Sequence, residues 1–173
     1  MALSTIITLS TFIILAFYFD VKTKKIPNKL IVIFAPIAVI NSLLVGGVTG
    51  LLFSAGAMLI AGAIMMFLYI LKAIGAGDVK AFAIIGLITN IEFVLYCMFY
   101  TIIMGGIIGL LILLFTRTFL SRMINVLYSI RSSIISKSTA PMETFKVTQA
   151  KTMPFMIAVL PGAVIAFYYV YLA

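Results

Sequence analysis

The stretch Gly75-Ala76-Gly77-Asp78-Val79-Lys80 interrupts a long apolar run near the middle of the chain and determines how that run divides into helices. It contains Asp78, one of two aspartates in the sequence. A carboxylate within lipid-facing sequence is costly, which makes Asp78 a candidate functional residue. The two glycines permit a tight bend or the close approach of another part of the chain. The stretch lacks the spacing of a P-loop, and Lys80 stands where a dinucleotide-binding loop needs a third glycine, so phosphate binding is not predicted.

The composition predicts an integral membrane protein. Of the 173 residues, 65% are hydrophobic and 9% are charged, whereas soluble domains carry roughly 25% charged residues. We expect one all-α membrane domain covering residues 1–173. The single cysteine, Cys97, and the lack of histidine exclude an internal disulfide and a Cys/His zinc site. We therefore expect neither a metal nor a cofactor.

Apolar runs divided by short polar breaks predict a bundle of about six transmembrane helices. The first run lacks a basic start, and we interpret it as a retained span rather than a signal peptide. The fourth is short, and it either extends through the following turn or leaves a water-accessible notch. The region between the last two spans, 116–152, is predicted to be a cytoplasmic loop with an amphipathic helix on the membrane surface. The spans are expected at about 2–19, 30–45, 51–71, 79–90, 93–115 and 153–172.

The distribution of charge predicts the topology. If six spans alternate across the bilayer, all 12 basic residues fall on one face, which the positive-inside rule makes cytoplasmic. Both termini then lie outside, in a multi-pass protein of the cell (inner or cytoplasmic) membrane. The net charge of +8 thus reflects topology, and no nucleic-acid partner is expected. The basic residues are Lys22, Lys24, Lys25, Lys29, Lys72, Lys80, Arg117, Arg122, Arg131, Lys137, Lys146 and Lys151.

The same topology places Asp20 and Asp78 at one depth, at the end of the first span and the start of the fourth. Two carboxylates at matched depth on separate helices are what an aspartic protease needs, because close like charges share one proton. Helix dipoles predict that Asp78, at a helix N-terminus, is ionised and that Asp20, at a C-terminus, is protonated. Lys22 and Lys24 oppose this assignment.

The chain resembles the type IV prepilin peptidases, which belong to the GxGD intramembrane aspartyl proteases. The resemblance rests on Asp20 followed by Lys25-Ile26-Pro27-Asn28, on the stretch 75–80, and on Met153-Pro154-Phe155 before the last span. It implies that Asp20 and Asp78 are the catalytic pair. It also implies removal of a short basic leader from type IV pilin-like or flagellin-like precursors at the cytoplasmic membrane boundary.

The resemblance also bears on the type of enzyme and its partners. Larger members carry a domain with paired Cys-x-x-Cys motifs and methylate the new N-terminus. With one cysteine, this chain is similar to the short peptidases of tight-adherence pilus systems and to the preflagellin peptidases, so no methyltransferase activity is expected. The expected partners are prepilin-like precursors, the lipid bilayer and the pilus-assembly (protein secretion) machinery.

Structural alternatives stand beside these assignments. For Asp78 the alternative is a purely structural role, the capping of a helix that begins at Val79. For Asp20 the alternative is pairing with Lys24. The alternative functions are a small membrane transporter and a non-catalytic pilus-assembly subunit, although transporter sites usually lie near the bilayer midplane. Five further residues are predicted to shape the site: Gly75, Gly77, Lys80, Pro27 and Asn28.

Overall fold

The computed structural model describes residues 2–115 and 154–172, which form five α-helices and no strand. The all-α class is confirmed, whereas the predicted count of about six helices is not reproduced. The predicted amphipathic helix and loop within 116–152 lie outside the described residues. The helices are α1 (Leu3–Thr23), α2 (Asn28–Ile70), α3 (Ala76–Ile88), α4 (Ile91–Phe115) and α5 (Met156–Tyr171).

Helix α2 spans both the second and the third predicted spans, because it is bent at Gly47. Gly47 has φ 61° and ψ −154°, a combination essentially confined to glycine. Beyond it, Ser54 returns to Ser42, and their hydroxyl oxygens are 2.6 Å apart. Twelve residues of straight helix would separate them by about 18 Å. The helix therefore folds back on itself as two arms, 28–46 and 48–70.

Buried polar side chains join the helices at the end of the bundle where α2 turns. The Asn41 amide donates to the Thr5 hydroxyl at 2.9 Å, and the Ser54 hydroxyl donates to the Thr89 carbonyl at 3.2 Å. Hydrogen bonds of this kind hold apolar helices together where apolar contact alone gives little preference. A cavity of about 300 Å³ opens beside them, and neither aspartate lines it.

Helix α3 is short and central. Its 13 residues span ~20 Å, and it is buried at almost every position from Asp78 to Ile88. It packs mainly on α2, and the two backbones approach closely at Gly86. A β-carbon added there would lie 2.8 Å from the Ala57 carbonyl oxygen. The sequence of α3 thus fixes its position against α2 at backbone level.

The remaining apolar surface fits a membrane protein. Helices α1 and α2, and residues Ile91–Ile112 of α4, are long and apolar enough to cross a membrane. Large apolar side chains such as Leu44 and Phe53 are exposed, as expected where lipid replaces water as the solvent.

Candidate active site

Asp20 lies in the last turn of α1, because the helix continues beyond Phe19 to Thr23. Lys24 caps the end of α1: its backbone is left-handed, and its N–H donates to the Asp20 carbonyl at 2.8 Å. The Asp20 side chain is only 5% exposed. Its Oδ2 accepts the backbone N–H of Met156 at 2.9 Å. Met156 is the first residue of α5, where N–H groups have no partner within the helix.

Asp78 occupies the third position of α3, which begins at Ala76. Its side chain is 9% exposed, and its Oδ2 accepts the backbone N–H of Gly75 at 3.1 Å. The Gly75 carbonyl accepts the Asp78 N–H in return, also at 3.1 Å. The bond from the Gly75 N–H to the Asp78 side chain is one half of a capping box; the other half is absent because Gly75 has no side chain, and its backbone carbonyl takes that place. Asp78 therefore does stabilise the start of a helix, as the capping alternative predicted. The helix begins at Ala76, three residues before Val79, and the capping contact uses one of the two carboxyl oxygens of Asp78.

Helix α1, which carries Asp20, contacts α3, which carries Asp78. Burial raises the pKa of Asp78, which lies outside the three long helices, to about 6; the Gly75 N–H lowers it, and the negative charge of Asp20 raises it further. Packing brings their surroundings together as well. Phe82 on α3 meets Phe155, just before α5, with ring centroids 6.3 Å apart.

Gly75 and Gly77 serve close approach rather than an unusual backbone, because neither has a positive φ. A β-carbon on Gly75 would lie 3.2 Å from Oδ2 of Asp78, and one on Gly77 would lie 3.4 Å from Cβ of Ile26. Gly75 thus leaves room for the carboxylate. Gly77 lets the loop after α1 pack on the start of α3.

Lys80 and Asn28 form a contact between α3 and the start of α2. The Lys80 ammonium donates to Oδ1 of Asn28 at 2.8 Å, and both residues are exposed. Pro27 precedes α2 in an extended conformation, with φ −68° and ψ 136°. The structure therefore brings Lys80 to Asn28, which follows Pro27, and so joins three of the five residues predicted to shape the site.

Met156 is the site residue that the sequence did not identify. Its contribution is a backbone N–H from a helix 136 positions away in sequence; the one local signal was Pro154, a residue typical of helix starts. This contact bears on the predicted difference in protonation between the two aspartates. Asp20 lies at the C-terminus of α1, but it also faces the N-terminus of α5. Both aspartates are thus bound by an N–H at a helix N-terminus, and their environments differ less than the sequence predicted.

Two buried, interacting carboxyl groups on separate helices supply the groups needed for acid–base hydrolysis. In residues 2–115 and 154–172, no cluster of three or more His, Cys, Asp or Glu side chains is placed to hold a metal ion. The model of the type IV leader peptidase family matches residues 7–110, a stretch that includes both aspartates. This is more than half of the chain, which therefore belongs to the type IV leader peptidase family, a family of proteases. Comparisons with curated proteins and with solved structures gave no match.

Proposed function

We propose that this protein is an aspartic endopeptidase that removes the short basic leader of type IV pilin-like or flagellin-like precursors. Family membership supports the peptidase reaction and prepilin-like substrates in general. The observation that carries the assignment of the dyad is the pair of buried carboxyl groups, Asp20 and Asp78, each bound through one oxygen by a backbone N–H. The second oxygen of each remains for chemistry.

The proposed mechanism is general acid–base hydrolysis. One ionised carboxylate takes a proton from a water molecule while the other, protonated carboxyl donates a hydrogen bond to the scissile carbonyl. Water oxygen bonds to the carbonyl carbon, and the carbonyl oxygen accumulates negative charge. When the C–N bond breaks, the first carboxyl returns the proton to the leaving amine. At rest the pair shares one proton, because close like charges resist double ionisation; after attack it holds two, and protonation of the leaving amine returns it to one.

The proposed membrane arrangement has six crossings, with the two arms of α2 as separate spans and the fourth crossing beginning at Val79, so that Asp78 lies just outside it. The Lys80–Asn28 contact and the basic residues after α1 then lie on the cytoplasmic side with both aspartates. Both termini lie outside, in the cell membrane. A leader that is basic and ends before a hydrophobic helix would meet the dyad at this boundary. The pilus-assembly machinery is the proposed downstream partner.

The test is co-expression with a panel of prepilin-like substrates, read by intact mass and new N-terminus. Wild type is compared with Asp20→Asn and Asp78→Asn, and with Glu92→Gln, which changes an exposed acid at the start of α4. We expect cleavage after the leader in wild type and Glu92→Gln, and none in either aspartate variant. Cleavage that survives either Asp→Asn change would refute the dyad. A wild type that folds but cleaves no substrate would favour the transporter or assembly-subunit alternative.

A further inference from the structure

The hydrogen bond between Asp20 and Met156 is buried and joins distant parts of the chain. The acceptor residue is 5% exposed and the donor residue 1% exposed, and the N–O distance is 2.9 Å. An N–H binds an ionised carboxylate more strongly than a neutral carboxyl, so this contact favours the ionised form of Asp20 and opposes the protonated form predicted from the helix dipoles. This contact therefore orients the carboxylate as well as satisfying the N–H.

Met156 is the one N–H in the first turn of α5 that is directed at α1. The next three N–H groups bind local carbonyls: Ile157 binds Pro154 at 3.2 Å, and Ala158 and Val159 bind Phe155 at 2.9 and 3.3 Å. General packing of a helix end would not single out one donor for a carboxylate. The start of α5 thus has a specific relation to Asp20.

The two aspartates differ in how their bound oxygen is held. Gly75 and Asp78 are three residues apart, so their hydrogen bond forms wherever the first turn of α3 forms. Asp20 depends on a helix that follows it by 136 positions. Its orientation is therefore a property of the assembled bundle, and in particular of where α5 begins.

We propose that the backbone N–H of Met156 is a positioning group of the active site, which holds Oδ2 of Asp20 and presents Oδ1 to the water or the substrate. The proposal rests on the proposed function. The negative charge of Asp20 acts in turn on Asp78 of α3. Helix α5 brings no charged side chain in its first turn, and the lysines after α1 are exposed.

The sharpest perturbation removes the N–H and leaves the side chain in place. Incorporation of the α-hydroxy analogue of methionine at position 156 replaces the amide with an ester. Loss of one hydrogen bond to a charged group predicts a ten- to hundredfold fall in kcat, roughly, with KM unchanged. The acid limb of the rate against pH should move up by about one pH unit. The matched control is the ester at Ile157, whose N–H binds the Pro154 carbonyl and should leave the pH profile unchanged. A 156 ester with the rate and pH profile of the 157 ester would overturn the proposal.

A second measurement needs neither catalysis nor the ester. Nine of the ten methionines have a backbone amide, Met1 being the N-terminus, so selective ¹⁵N-methionine labelling gives nine amide signals, and Met156→Leu assigns the one of interest. We expect the Met156 amide proton to lie downfield, to titrate with pH, and to move upfield in Asp20→Ala, while the Met98 amide stays constant. An unchanged Met156 signal in Asp20→Ala contradicts the hydrogen bond and hence the proposal. Because this readout involves no substrate, it separates failure of the positioning role from failure of the proposed peptidase activity.

Discussion

Replacing Gly75 by alanine should impair the Asp78 carboxylate without unfolding the protein. The backbone of Gly75, with φ −83° and ψ 154°, is allowed for alanine, so the change introduces a methyl group and little strain. That methyl group would lie 3.2 Å from Oδ2 of Asp78, closer than ordinary van der Waals contact. The carboxylate must therefore move by a few tenths of an ångström.

This movement acts on a hydrogen bond that is already long. The Gly75 N–H reaches Oδ2 at 3.1 Å, near the limit of about 3.2 Å for this type of bond. A hydrogen bond to a charged group contributes about 1.5–3 kcal/mol. If the variant loses between half and all of about 1.5 kcal/mol, the rate should decrease roughly three- to tenfold. We expect kcat to fall within that range, with KM nearly unchanged.

The matched control is Gly77→Ala. Its methyl group meets Cβ of Ile26 at 3.4 Å, an ordinary contact, and it does not touch the carboxylate. Both variants are purified, checked for equal thermal stability in detergent, and assayed on one prepilin-like peptide by mass spectrometry. The reasoning fails if Gly75→Ala retains the wild-type rate, or if Gly77→Ala loses as much activity.

Two further predictions concern stability. Because burial raises the pKa of Asp78 from 3.8 to about 6, the folded protein binds this proton more tightly than the unfolded chain. The stabilisation that this bound proton gives the folded protein is complete below about pH 4 and is lost as the pH rises through about 6. The unfolding temperature in detergent should therefore fall across that interval. In Asp78→Asn it should fall less steeply. Gly86→Ala should destabilise the protein by about 1–3 kcal/mol in denaturant titrations, because its methyl group would overlap the Ala57 backbone. Gly56→Ala, which has open space around the added carbon, should leave stability within about 0.5 kcal/mol, and equal losses in the two variants would refute the packing argument.

The sequence predicted what depends on local pattern. Apolar runs gave the all-α class, and the break between the spans expected at 30–45 and 51–71 contains Gly47, where the backbone requires glycine and α2 folds back. The two aspartates were identified because isolated carboxylates in apolar sequence are costly. The effect of the Asp20 charge on Asp78 agrees with the prediction that the two residues lie close together.

What the sequence did not predict depends on contacts between helices. Every helix start has N–H groups of the same chemistry as that of Met156. Only the packing of α5 on α1 directs this one to Asp20. Similarly, α3 begins at Ala76 rather than Val79 because the Asp78 side chain returns to the Gly75 N–H. A propensity argument places helix ends only to within a residue or two. Neither a side chain that bonds back to its own helix start nor the packing of one helix on another leaves a periodic pattern in the sequence.

The close backbone contact between Gly86 and Ala57 has a mechanical consequence for the dyad. It fixes α3, with Asp78, against α2, whereas α1, with Asp20, packs on α2, α3 and α5. The two carboxyl groups of the proposed dyad are therefore carried by different helices, and their separation depends on how α1 packs against the α2–α3 pair. A shift of about 1 Å in catalytic geometry can cost a hundredfold in rate. A lipid or an inhibitor that moved α1 away from the α2–α3 pair would lower the proposed peptidase activity while contacting neither aspartate, and its effect would not be overcome by more substrate.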